Sequence, residues 1–169
     1  MIVGMDIHGK ENGAYFRRTI WSWPSLGTAL VELFPDLTAP CKHWFTNDGD
    51  GLDKEQSLKL AEAIREALAA GEVERYVREL GVKLAAIPDE TCTWCKGTGV
   101  RKDAIGRREG FHRKVVDDPK SPRFGLTGWC NACNGRGMVV PYQKHMRLEV
   151  SDLEEFATFL ETCGGFEIW

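Results

Sequence analysis

Apolar positions along this chain change period several times, and each change marks an element. The opening "IVGMDI" alternates loosely between apolar and polar residues, which predicts a strand over residues 2–7. "AYFRRTIWSW" (14–23) is aromatic and β-branched, so it reads either as a second strand or as an irregular path into a helix. From residue 24 the period lengthens. Pro24 suits the first turn of a helix over 24–34, with Leu26, Leu30, Leu33 and Phe34 on one side, and Pro35 and Pro40 bracket a loop.

The clearest helical period covers 54–70. Leu60, Ala61, Ile64, Ala67 and Leu68 share one face, Asp53 and Gln56 make a capping box, and Gly71 ends the run. A further helix is expected over 72–80, stopping at Gly81. Beyond residue 137, "MVVPYQKHMRLEV" (138–150) reads as extended structure broken at Pro141. Ser151 and Glu154 predict a second capping box, and Leu153, Phe156, Ala157 and Leu160 form the apolar face of a last helix. "CGG" stops it and "FEIW" predicts a closing strand. These periods describe an α+β (mixed α/β) fold of one compact domain with an insertion. Residues 1–91 are the N-terminal part of the core, 92–137 a zinc-binding hairpin, and 138–169 the C-terminal completion of the core.

The insertion is marked by a repeat, "CTWCKGTG" at 92–99 and "CNACNGRG" at 130–137. Each repeat offers two thiols at metal-ligand spacing, so Cys92, Cys95, Cys130 and Cys133 predict one tetrahedral zinc per chain. Glycines follow each pair because a backbone turning round a metal needs positive φ and close amide approach to sulfur. With four protein ligands no position is left for an activated water, so the zinc is expected to be structural. Cys41 and Cys163 stand outside the repeats and read as small buried residues.

Charge adds an asymmetry. The chain carries a net −3, yet residues 100–129 hold eight Lys/Arg against four Asp/Glu. "VRKDAIGRREGFHRKVV" within that stretch suggests a β-ribbon, an arm able to grip nucleic-acid phosphates or a host protein as an adaptor; its plainer reading is a solvated, mobile loop. The opening lacks a basic stretch followed by a long apolar run, and no segment approaches the roughly 18 apolar residues of a membrane helix. A cytoplasmic protein without membrane contact is the expectation, with room for a homo-oligomer.

A second polar constellation precedes the 54–70 helix. "CKHWFTNDGDGLD" (41–53) is a glycine-containing loop running into a helix N-terminus. It is not an EF-hand, because Thr46 and Ser57 would stand where Asp and Glu are required. Arg17, Arg18, Trp21, His43, Asn47 and Asp48 supply cations, an aromatic face and polar contacts, a set that would suit a small anionic or nucleotide-like ligand if it converged. Metal-dependent hydrolysis by His8, His43 and Asp48 is the catalytic alternative. No nucleophile elbow, phosphate loop, His-Glu-x-x-His or dinucleotide glycine pattern is present, so binding is expected rather than catalysis.

The Cys-x-x-Cys-x-Gly-x-Gly pattern resembles the cysteine-rich repeat of DnaJ-type co-chaperones. That family carries four repeats in two zinc sites; this chain has two, enough for one, and lacks the His-Pro-Asp helix pair. More broadly, "GMDIHGK", "YFRR", "HWFTNDGDGLD", the two knuckles and "FATFLETCGGFEIW" resemble a family of small uncharacterised proteins from bacteria and their phages. That resemblance implies action by binding, such as sequestering a nucleotide immune signal or inhibiting a host factor.

Overall fold

The computed structural model describes residues 4–169. Its fold is α+β, and the chain packs as two compact units. Residues up to 85 with 145–169 form the first; residues 86–144 form the second, wider than the expected 92–137.

In the first unit, β1 (Gly4–Gly9), β2 (Tyr15–Thr19), β3 (Asp50–Leu52) and β6 (Phe166–Ile168) build an antiparallel sheet in the order β2-β1-β6-β3. Residues 2 and 3 of the expected first strand lie outside the described residues. The alternation in β1 does what a strand period of two requires: Met5 and Ile7 are buried, and His8 faces out. Pairing of Asp6 with Arg17 and Ile7 with Phe16 fixes the register. "FEIW" does form the closing strand, with Phe166 and Ile168 buried.

Five helices cover the buried sheet face or pack on its neighbours. These are α1 (Trp23–Leu33), α2 (Pro35–Thr38), α3 (Lys54–Ala69), α4 (Glu72–Ala86) and α6 (Val150–Thr162). In α3 the Asp53 carboxylate accepts from the Gln56 amide at 2.8 Å, and Gln56 Oε1 accepts from the Asp53 amide at 3.0 Å. Phe156 of α6 is fully buried and meets the rings of Phe16, Trp23, Trp44, Phe159 and Phe166. Both tryptophans at this centre satisfy their indole N–H, Trp23 on the Trp44 carbonyl at 2.6 Å and Trp44 on the Thr38 carbonyl at 3.1 Å.

Three expectations are corrected here. Helix α4 runs Glu72–Ala86 straight through Gly81. A mid-helix glycine costs only about 1 kcal/mol against alanine, and Leu84 continues beyond it the apolar stripe of Val77 and Leu80. The cap of α6 is Glu149, whose amide donates to Asp152 at 2.8 Å, two residues earlier than the Ser151–Glu154 pattern. The 138–150 stretch is extended only at β5 (Met138–Val139), followed by a 3-10 turn over Tyr142–His145. No helix among the described residues is long and apolar enough to cross a membrane.

In the second unit, β4 (Glu90–Thr91) and β5 pair antiparallel at the base of the cysteine repeats. The expected β-ribbon between the repeats is not formed. "VRKDAIGRREG" instead contains a short helix, α5 (Ala104–Arg108), because the Asp103 side chain caps it by accepting from the Gly106 amide at 2.7 Å. Only Val115 and Thr127 make a strand-like bridge in this excursion.

Candidate metal centre

The two cysteine repeats fold into two like-shaped turns. In each, the residue after the second cysteine is left-handed, Lys96 at φ 52° and Asn134 at φ 49°. In each, an amide two residues further on closes onto a cysteine carbonyl: Thr98 to Cys95 and Arg136 to Cys133, both at 3.0 Å. The first glycines (Gly97, Gly135) and second glycines (Gly99, Gly137) all have φ between 71° and 81°. Those second glycines also carry a steric requirement. A Cβ on Gly99 would strike the Gly135 carbonyl, and one on Gly137 would strike the Gly97 carbonyl. At these two glycines each repeat packs directly against the backbone of the other.

This packing brings the four thiols together. Their sulfurs all lie within 4.8 Å of one another, with Cys92 and Cys130 at 3.9 Å and Cys95 and Cys133 at 3.7 Å. A tetrahedron of thiolates at about 2.3 Å from a metal has edges of about 3.8 Å, so the spacing fits. All four side chains are buried, none more than 5% exposed. Backbone amides face the sulfurs: Trp94 and Cys95 toward Cys92, Ala132 and Cys133 toward Cys130, and Gly137 toward Cys133 at 3.2 Å. Those dipoles offset the negative charge of four thiolates.

The thiols of Cys92, Cys130 and Cys133 differ in how readily they ionise. Burial pushes Cys130 up to about 12, against the pull of the Cys133 and Ala132 amides, and burial likewise raises Cys133. At Cys92 burial acts in the same sense, but the Cys95 and Trp94 amides outweigh it and the thiol falls below its ordinary value. A metal ion would have to displace protons from the raised pair.

The excursion is largely exposed, but it is anchored to this centre at a few points. Arg101 is 6% exposed; its guanidinium grips the Asp103 carboxylate at 2.9–3.2 Å, reaches Asn131 at 3.0 Å and lies 4.4 Å from the Trp94 ring centroid. Cys130 and Cys92 both act on its charge. On the other repeat, Asn134 accepts from the Trp129 indole and donates to Asp118, both at 2.9 Å, while Ser121 donates to the Asn134 carbonyl. Sequence reasoning missed Arg101, Asn131 and Asn134. The signal was in the repeats themselves, where both asparagines occupy the variable positions beside a cysteine.

The other candidate residues are divided. Arg17 and Arg18 stand on β2 at one edge of the sheet; His43, Asn47 and Asp48 precede β3 at the opposite edge. Arg17 pairs with Asp6 at 3.4 Å, and Arg18 with Asp152 at 3.2 Å and Glu155 at 2.5 Å. Trp21 lies with His145 in a shallow depression. His43 does meet Asp48, at 3.6 Å, and Asp48 is also bonded to Thr46. The six side chains do not converge on one site, because the ladder between the two edges holds them apart. The His8 ring lies 5.2 Å from the Tyr15 ring, tilted by 51°, in the β1–β2 pair. Cys41 and Cys163 are buried, as expected.

Among the described residues, the four cysteines are the one group of three or more His, Cys, Asp or Glu side chains placed to hold a metal ion. Comparison of the chain with protein families, with curated proteins and with solved structures returns no match, so the bacterial and phage resemblance rests on the quoted residues alone and the metal centre stands on its own geometry.

Proposed function

We propose that this chain is a zinc-stabilised binding protein, in which one structural zinc folds residues 86–144 into a basic module that presents the excursion between the knuckles to a partner. The observation that carries the reading is the closed set of four buried sulfurs at tetrahedral spacing. All-thiolate donors select zinc over hard cations, and four protein ligands leave no coordination position for substrate or water. The module's charge supports a binding role: residues 86–144 hold eleven Lys/Arg against six Asp/Glu, while the rest of the chain holds eleven against nineteen. A small anionic ligand bound by Arg17 and Arg18 together with His43 and Asp48 has less support, since the arginines are engaged by carboxylates at the far edge of the sheet.

Elemental analysis of the purified chain should give one zinc per molecule. Cys92→Ser and Cys133→Ser should lose it, and hydrogen exchange should then rise across 86–144 while α3 and α6 stay protected. Zinc-free wild-type protein, or a Cys92→Ser variant with full zinc content, overturns the reading.

A further inference from the structure

Beside the first knuckle is a depression of about 320 Å³ lined by Trp94, Cys95, Lys96, Thr98, Val100, Lys102 and Asp103, the Asp103 carboxylate being neutralised by the Arg101 guanidinium. We infer that this depression binds one base of a single-stranded nucleic acid, stacked on Trp94, with the flanking phosphates on Lys96 and Lys102. The inference rests on the zinc-module reading, since the knuckle sets the positions of Trp94 and Lys96.

Trp94 occupies a variable position of a Cys-x-x-Cys turn, yet the residue is 52% exposed. Exposing so large an apolar surface has a cost that a polar residue would avoid. One side of the ring is taken by the Arg101 guanidinium, itself locked by Asp103 and Asn131. A ring fixed from behind and open in front is a preorganised stacking platform. Arg101 is spent on that support and contributes little charge outward.

The outward charge comes from elsewhere. Lys96 and Lys102 are exposed, and neither ammonium is in a salt bridge among the described residues. Lys96 is held in a left-handed conformation by the knuckle turn, which fixes where its side chain starts. The Thr98 hydroxyl bonds inward, to the Cys95 carbonyl at 2.7 Å, so it shapes the floor rather than reading a base. An aromatic face and two ammonium groups lining one depression suit the alternation of base and phosphate along a single strand. A duplex keeps its base faces stacked away and offers only phosphates. The volume suits one nucleoside, near the lower end of small-ligand sites. The Thr98 hydroxyl and the Asp103 carboxylate are both bonded within the protein, so sequence preference should be weak.

The test is fluorescence anisotropy of the zinc-loaded full chain with labelled oligothymidylate and oligouridylate of about 15 nucleotides, and with a duplex and a mononucleotide of matched label. The single strands should bind best, and the duplex and mononucleotide at least tenfold more weakly. Trp94→Ala should weaken single-strand binding about 5- to 150-fold, the range for loss of one stacked base, with zinc content unchanged. Trp94→Phe should recover most of it, which a purely packing role for the indole would not produce. Lys96→Gln with Lys102→Gln should make the salt dependence shallower by about 1.4 in log–log slope, two phosphates at about 0.7 each. Zinc-replete protein that binds no single strand at low salt overturns the inference and leaves the metal reading intact. So does equal binding of strand and duplex, or a Trp94→Ala variant that binds as wild type. Absence of zinc overturns both.

Discussion

Gly137→Ala tests how the metal centre is built. Gly137 has φ 78°, where an alanine costs about 1–2 kcal/mol. Its new Cβ would also strike the Gly97 carbonyl of the other knuckle, so one backbone must move. Movement lengthens two bonds that Gly137 makes, its carbonyl to the Cys92 amide at 2.8 Å and its amide to Cys133 Sγ at 3.2 Å. Each contributes about 1 kcal/mol net, which brings the loss to about 3–4 kcal/mol. Because structural metal binding and local folding share one free energy, zinc affinity should fall about 150- to 900-fold by competition with a chelator. Gly110→Ala is the control: it has φ 71° in the same unit with open space around the missing Cβ, so it bears the backbone cost alone. Its loss should be about 5- to 30-fold. Equal losses in the two variants would refute the argument that the repeats are held by close backbone contact.

Phe156→Ala, removing a ring that meets five others at 5.1–6.5 Å, should cost about 3–5 kcal/mol and lower the melting temperature of the first unit by roughly 6–20 °C by circular dichroism. A drop under 2 °C would mean that the aromatic centre is not the stabilising core. Asp53→Ala removes the α3 cap and should cost about 1 kcal/mol, read as a small shift in urea midpoint at constant m-value, whereas Asp53→Asn should be nearly neutral. Burial pushes the Asp50 carboxyl up, but the Lys42, Gly51 and His43 amides outweigh it and hold it below its ordinary range. With the folded value below the unfolded one, its stabilisation is present above the unfolded value, near pH 4, and lost as pH falls further. The stability gap between wild type and Asp50→Asn should therefore narrow on acidification from about pH 4; a constant gap sinks that assignment.

Local signals carried well into the structure and long-range ones did not. The α3 helix was legible because stripe, capping box and terminal glycine all agreed within twenty residues. The four cysteines were legible for the same reason, since metal-ligand spacing is a local pattern. Arg17 and Arg18 misled because sequence proximity to aromatics says nothing of which carboxylates fold back onto them. Asp152 and Glu155 lie more than 130 positions away and meet Arg18 only when α6 packs beside β2. The excursion misled differently. Its β-branched and basic composition suggested a ribbon, whereas Asp103 as a cap and Arg101 as a buried anchor impose a compact path that composition does not encode.

The reciprocal contact of Gly99 on Gly135 and Gly137 on Gly97 has a consequence for how such a module arises. Each eight-residue repeat is half of a self-complementary object, presenting two thiols and a backbone surface shaped for a copy of itself. A peptide carrying one repeat should pair with a second such peptide around a single shared zinc, as a two-fold dimer. Joining two halves in one chain turns that dimer interface into an intramolecular contact. It also frees the two variable positions in each turn to diverge, Trp94 on one side and Ala132 on the other, without disturbing the shared frame.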